Sequence, residues 1–295
     1  MIVITGATGA LNGATVEHLL KRIPAGQIGV SVRDTAKAQH FADRGVRVRR
    51  GSYEDPAALL DSLEGADQVL LVSSNDPDAD AVRLHRVGIE TAVAAGARRI
   101  LYTSHQHTGL GSPFIPARHH AATEALLEDS GAAWTSLRNG FYAHSLDWLL
   151  GPWREAGVIA TPADGAVSWT ERADEAEAAA VILAGELHFD GPVTLTASAA
   201  VTFDEIAGLA SEVTGRDIRR VVVDDDKWMA EQVAQGTPEL MARFQLGFFQ
   251  AAREGHFAGT GPLLGDLLGH QPRTVRDLLA GRTTAGKDPA GSPRT

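Results

Sequence analysis

The chain has 295 residues, 44% hydrophobic and 22% charged, enough to bury one large core or a main domain with a smaller appendage. Its formal net charge of −10 argues against general nucleic-acid binding, which needs a clustered basic face, and the lack of cysteine excludes disulfides, thiolate metal sites and cysteine nucleophiles. No basic segment leads into a long apolar one at the amino terminus and no apolar run approaches membrane-spanning length, so a cytoplasmic protein with no membrane role is expected.

Strands and helices alternate along the first half. Short β-branched runs at 2–5, 28–32, 46–48, 69–72 and 100–103 read as strands buried on both faces. Between them, amphipathic stretches at 14–21, 35–43, 56–63 and 81–95 read as helices. Asp55 is a natural N-cap before Pro56, and Gly96 stops the fourth helix. A helix at 117–130 and a strand at 134–137 extend the pattern. Such alternation predicts right-handed crossovers and an α/β, doubly wound parallel sheet of Rossmann type. Beyond Asn139 the rhythm loosens, with strands at 193–196 and 218–223 and a helix from Phe203. The expected division is a nucleotide-binding domain over 1–140, with 176–200 returning to it. A smaller substrate lobe over 141–280 and a disordered tail over 281–295 complete it.

The strongest motif is Thr5-Gly6-Ala7-Thr8-Gly9-Ala10-Leu11-Asn12-Gly13, between the first strand and the first helix. Glycines there let the backbone turn tightly and approach a pyrophosphate, which sits on the helix's free N–H groups. Gly6, Thr8, Gly9, Ala10 and Leu11 are therefore expected cofactor contacts, although an ordinary strand-to-helix turn could use the same glycines. The expected third glycine position holds Asn12, with Gly13 just beyond, which predicts a looser turn or a shifted register. Arg33, directly after the second strand, suits the 2′-phosphate of NADP(H), whereas an acidic residue there would suit NAD(H). Asp34 next to it keeps NAD(H) open.

In order along the chain, Thr5-Gly6-Ala7-Thr8-Gly9, Val32-Arg33-Asp34-Thr35, Gly51-Ser52-Tyr53-Glu54-Asp55, Tyr102-Thr103-Ser104 and Leu137-Arg138-Asn139-Gly140-Phe141-Tyr142 resemble the NmrA-like atypical short-chain dehydrogenases/reductases. The likeness is greatest to their bacterial NAD(P)H:quinone oxidoreductase type 2 branch. It runs on through Thr170-Glu171-Arg172-Ala173-Asp174 to Gly269-His270-Gln271-Pro272-Arg273-Thr274. The resemblance implies a Rossmann domain, a smaller substrate lobe and NADPH between them. It further implies that Ser73 and Ser74 line the adenosine and ribose side, that Thr103 and Ser104 flank the nicotinamide, and that Asn139, Gly140 and Phe141 close over it.

Ordinary short-chain dehydrogenases use Tyr-x-x-x-Lys; here Pro116 takes the tyrosine place and His120 the lysine place, so the usual alcohol/ketone proton relay is absent. A quinone can take its protons from water, and positioning alone then supplies most of the rate. The expected function is NADPH-dependent hydride transfer to a quinone or similar small conjugated electrophile, with a homodimer left open. The rival is a non-catalytic NADP(H) sensor that binds a protein partner. Ala143-His144-Ser145 stands where relatives often carry an acidic residue followed by asparagine. His120, Tyr142 and Asn139 are the catalytic candidates: His120 titrates near neutrality when unperturbed, and Tyr142 is either a proton donor or an aromatic wall. His105, His107, His119 and His120 lack carboxylates at ligand spacing, so no metal is expected. Asp224-Asp225-Asp226 reads as a solvated helix start, and Phe244, Phe248, Phe249 and Phe257 as lid or core.

Overall fold

A computed structural model describes residues 1–74, 79–185 and 189–285. The nucleotide-binding half runs β1 (Ile2–Thr5), α1 (Ala10–Leu19), β2 (Ile28–Val32), α2 (Gln39–Ala42), β3 (Arg47–Arg50), α3 (Pro56–Ser62), β4 (Gln68–Leu71), α4 (Ala81–Ala94), β5 (Arg99–His105), α5 (Ile115–Glu128) and β6 (Ala133–Asn139). The chain then leaves the sheet through α6 (Leu146–Leu149), α7 (Trp153–Ala156) and β7 (Val158–Thr161). It returns with α8 (Arg172–Ala184) and β8 (Gly191–Leu195), and ends on α9 (Phe203–Thr214), β9 (Arg219–Val222), α10 (Asp225–Ala234), α11 (Glu239–Arg253), α12 (Leu263–Leu268) and α13 (Val275–Ala285).

Seven strands form one parallel sheet in the order β3-β2-β1-β4-β5-β6-β8. Both faces are covered, as a parallel sheet requires. Alternation along each strand divides its side chains between two cores. Ile2, Ile4, Leu70 and Leu101 face the layer of α1 and α8. Val3, Val69, Leu71 and Ile100 face that of α3, α4 and α5. Strand order reverses between β1 and β4, which opens a crevice above their carboxyl ends. A third core, built on Trp169, Phe203, Phe248, Phe249 and Phe257, fills the carboxyl-terminal lobe. There β7 and β9 pair as a separate parallel ribbon.

Several boundaries differ from expectation. Helix α1 begins at Ala10 instead of 14, because Gly9 stands as an extended N-cap directly before it. The helix expected over 35–43 breaks at Ala38 into a 3₁₀ turn and the short α2. Strand β7 was not foreseen; its four residues carry little periodicity of their own. Helix α13 continues through 281–285, where a disordered tail was expected to begin, and the remainder of that tail, 286–295, lies outside the described residues.

Candidate cofactor and acceptor cleft

The turn after β1 explains its own glycines. Gly6 has φ +64, and a Cβ there would meet Val72 Cγ1 at 2.6 Å. At Gly13 a Cβ would come within 2.9 Å of the Ala7 carbonyl oxygen, so Gly13 gives the helix its close approach to the turn. Asn12 does not loosen it. The side chain is buried and its Nδ2 donates to the Thr5 carbonyl at 2.8 Å, tying the end of β1 to α1. This corrects the expectation from the shifted glycine.

Helices α3, α4 and α10 are capped by the carboxylates of Asp55, Asp80 and Asp224. Among the described residues no side chain caps α1. Its first-turn N–H groups and positive dipole end are thus open to an anion. Gly6, Thr8, Gly9, Ala10 and Leu11 all line a cleft of about 840 Å³, within the range of cofactor sites. Arg33 lines it too, exposed and with no ion-pair partner among the described residues. Asp34 instead turns back to cap the following turn, accepting from the Ala36 N–H at 3.0 Å, and does not line the cleft.

Ser73, Ser74 and Thr103 line the middle of the cleft. Thr103 Oγ1 accepts the Ser73 N–H at 2.8 Å. The Ser74 N–H donates to His85 Nε2 at 2.8 Å, which fixes that nitrogen as the unprotonated one; burial lowers the His85 pKa to about 4. Beyond lies an aromatic wall of Tyr142, Trp148 and Phe244, together with His144 and Arg172. Tyr142 stacks on His144 with centroids 5.5 Å apart. Asn139, buried behind the wall, donates from Nδ2 to the Tyr142 hydroxyl at 3.5 Å. Burial, and then the neighbouring Glu175 carboxyl, push the Tyr142 phenol up, so it is a reluctant acid at neutral pH.

Like Asn139, four further residues singled out in the sequence do not line the cleft. Ser104 donates to Glu124 Oε1 at 2.8 Å inside a buried polar cluster. Gly140 packs against Thr170, and Phe141 lies in the aromatic core, its ring 4.5 Å from Phe248 and 5.2 Å from Phe257. His120 is buried with Nδ1 2.8 Å from the Tyr102 hydroxyl, and burial followed by His105 and His85 holds its pKa well below the usual range. It packs as a core imidazole and does not line the cleft where a proton donor was expected. Neither His105 nor His107 lines the cleft: His105 packs among Phe114, Phe141 and Phe257, and His107 stacks on His256. Asp224 caps α10 and Asp225 pairs with Arg253, as a solvated helix start should.

No motif or spacing pointed to Glu175. It is fully buried in the first turn of α8, and neither oxygen has a hydrogen-bond partner among the described residues; the nearby Gly140 N–H is already spent on the Leu195 carbonyl. Burial first, then Glu171 and Asp174, raise its pKa well above the usual carboxylate range. In the unfolded chain the carboxyl ionises near 4.5, whereas in the folded protein it holds its proton. Stability is thus lost as pH rises above 4.5, until the folded-state value is reached. Glu175→Gln should remove that slope, so its stability advantage over the parent grows from pH 5 to pH 8. Chemical denaturation at both pH values checks this; an equal difference at the two would mean that Glu175 ionises in the folded protein.

Residues 1–249 match the model of the NmrA-like family. The chain is 34% identical over 281 residues to quinone oxidoreductase 2 of Escherichia coli, spanning 95% of this chain and 98% of that protein. Its fold matches the crystal structure of an Escherichia coli NADPH-dependent quinone oxidoreductase complexed with NADPH at a TM-score of 0.91, with 33% identity and coverage of 96% and 100%. It also matches Citrobacter sp. triphenylmethane reductase complexed with NADP(H), at a TM-score of 0.87, 31% identity and coverage of 96% and 99%.

Proposed function

The chain belongs to the NmrA-like family, and on that premise we propose that it is an NADPH-dependent reductase delivering hydride to a quinone or a similar small conjugated acceptor. One observation carries the reading: a single cleft joins an uncapped, glycine-fronted helix start and the unpaired Arg33 to an aromatic wall. The residues present fit the dinucleotide. Gly6 leaves room for close backbone approach, the start of α1 would receive the pyrophosphate, and Arg33 would meet the 2′-phosphate. When bound, NADPH supplies a hydride with its two electrons. Tyr142, Trp148 and Phe244 hold a flat acceptor and keep water from its faces. Tyr142 is a reluctant acid and His120 lies off the cleft, so water supplies the protons and positioning supplies the rate. The relatives named above are reductases, which favours turnover over cofactor sensing.

The test is a panel of quinones and enones scored by loss of NADPH absorbance. Consumption with at least one quinone supports the reading, and NADPH binding without consumption across the panel overturns it in favour of a sensor. Cofactor choice has its own test. Arg33→Ala should weaken NADPH by about 1–3 kcal/mol more than NADH, since a charge-assisted contact to phosphate is lost. Equal losses for both nucleotides in a binding titration would show that Arg33 does not read the phosphate.

A further inference from the structure

Arg172 is the first residue of α8, half-buried, and it lines the cleft beside the aromatic wall. Three carboxylates surround it in sequence, yet each is engaged elsewhere. Glu171 turns back to cap α8, accepting from the Ala173 N–H. Asp174 is buried against Arg273, taking both its backbone N–H and its guanidinium at 2.8 Å. Glu175 is fully buried with no ion pair to Arg172 among the described residues, and burial favours its neutral form. No ion pair to Arg172 forms among the described residues, and its side-chain hydrogen-bond contact among them is to His144, whose Nε2 lies 3.4 Å from Nη1. That contact requires the His144 nitrogen to be the acceptor, so it neutralises nothing. A guanidinium left without a counter-charge beside stacked aromatic rings is suited to a carboxylate or sulfonate on a flat ring: it can bond the anion in its plane while the ring packs on the wall.

We propose that Arg172 makes the acceptor end of the cleft selective for planar aromatic acceptors that carry an anionic substituent. This rests on reading the cleft as a reductase's, and the cation–aromatic arrangement identifies the class of acceptor within it. Arg33 cannot serve the same purpose, because it lies beside the turn after β2, at the far end from Tyr142 and Trp148.

The experiment pairs a kinetic and a binding measurement on the full chain. The kinetic arm compares kcat/KM for 1,4-naphthoquinone and 1,4-naphthoquinone-2-sulfonate in the parent and in Arg172→Gln; using the change in their ratio cancels the difference in redox potential. The ratio of sulfonated to neutral quinone should fall tenfold or more in the variant, while the Kd for NADPH moves less than twofold. In the binding arm, calorimetry on NADP⁺-loaded protein should show naphthalene-2-sulfonate binding that Arg172→Gln weakens tenfold or more and Arg172→Lys partly restores. An unchanged ratio, or no sulfonate binding by the parent, overturns the proposal. So does an NADPH loss as large as the sulfonate loss, which would place Arg172 at the cofactor. If neither quinone consumes NADPH but Arg172-dependent sulfonate binding persists, the reductase reading falls and the anion site stands.

Discussion

Gly140→Val is expected to abolish turnover together with stable folding. A Cβ at Gly140 would lie 2.0 Å from Thr170 Oγ1 and 2.8 Å from Thr170 Cβ, far inside contact distance. Thr170 cannot retreat. Its Oγ1 donates to the Ser168 carbonyl at 2.8 Å and accepts the Ala197 N–H at 2.9 Å, while its N–H and carbonyl are bonded to Phe141 and Ala143. The Gly140 N–H is fixed on Leu195 at the end of β8. Overpacking a well-filled site costs about 1–3 kcal/mol, and more where the obstacle is held on every side, as here. The sequence suggested a different injury, obstruction of the nicotinamide pocket. The two are separable by measuring thermal midpoint and NADPH binding together. Packing damage lowers both; a variant that keeps the parent's midpoint and only loses the cofactor would restore the pocket explanation.

Glu124→Ala should cost about 3–5 kcal/mol, the usual consequence of removing one partner from a buried ion pair. Glu124 stands on α5 with Oε1 accepting from Ser104 at 2.8 Å, Ser136 at 2.6 Å and Arg138 Nε at 3.0 Å. Oε2 takes Arg138 Nη2 at 2.5 Å and Thr108 at 3.0 Å. One carboxylate thus joins β5, β6, α5 and the loop after β5. Burial alone would raise its pKa, but Arg138, Ser136 and Ser104 together outweigh burial and hold it below the usual range. The depressed value means that this stabilisation is present at neutral pH and is lost as pH falls through the folded-state value. Urea unfolding of the parent, Glu124→Ala and Glu124→Gln at pH 7 tests the account, with glutamine falling between the other two. A loss below about 1 kcal/mol for alanine would mean that Arg138 simply turns out to water.

The parallel sheet was legible in the sequence because its strands are two-sided. Runs such as Ile2-Val3-Ile4 and Val69-Leu70-Leu71 have no polar face to confuse with a helix, and α3 and α4 each start on an aspartate cap. The cofactor end of the cleft was legible for a local reason as well: Gly6 through Leu11 and Arg33 act through backbone and charge set within a few residues. The acceptor end was not. Trp148, Arg172 and Phe244 come from three separate stretches of the later chain and meet only after the lobe has folded, so no spacing announces them. His120 and Glu175 show the same limit from the other side. Burial decides their protonation, and burial of one residue on a helix is a property of its neighbours in space. Asn12 misled for a simpler reason: the third-glycine rule speaks of steric room, and here the room is made at Gly13 while the asparagine supplies a hydrogen bond.

The last strand of the main sheet joins it late. Between the end of β6 at Asn139 and the start of α8 at Arg172 the chain spends about thirty residues on the lobe, then lays α8 along α1 and pairs β8 parallel to β6 from Gly191 through Leu195. During synthesis the first six strands therefore emerge and wait, with the outer edge of β6 unpaired and the apolar groove meant for α8 uncovered along α1. Closing that long loop before any of its contacts form makes completion of the sheet a slow, non-local step. The nascent chain is most open to misassembly in that interval, when Leu137 has yet to meet its neighbour Val193.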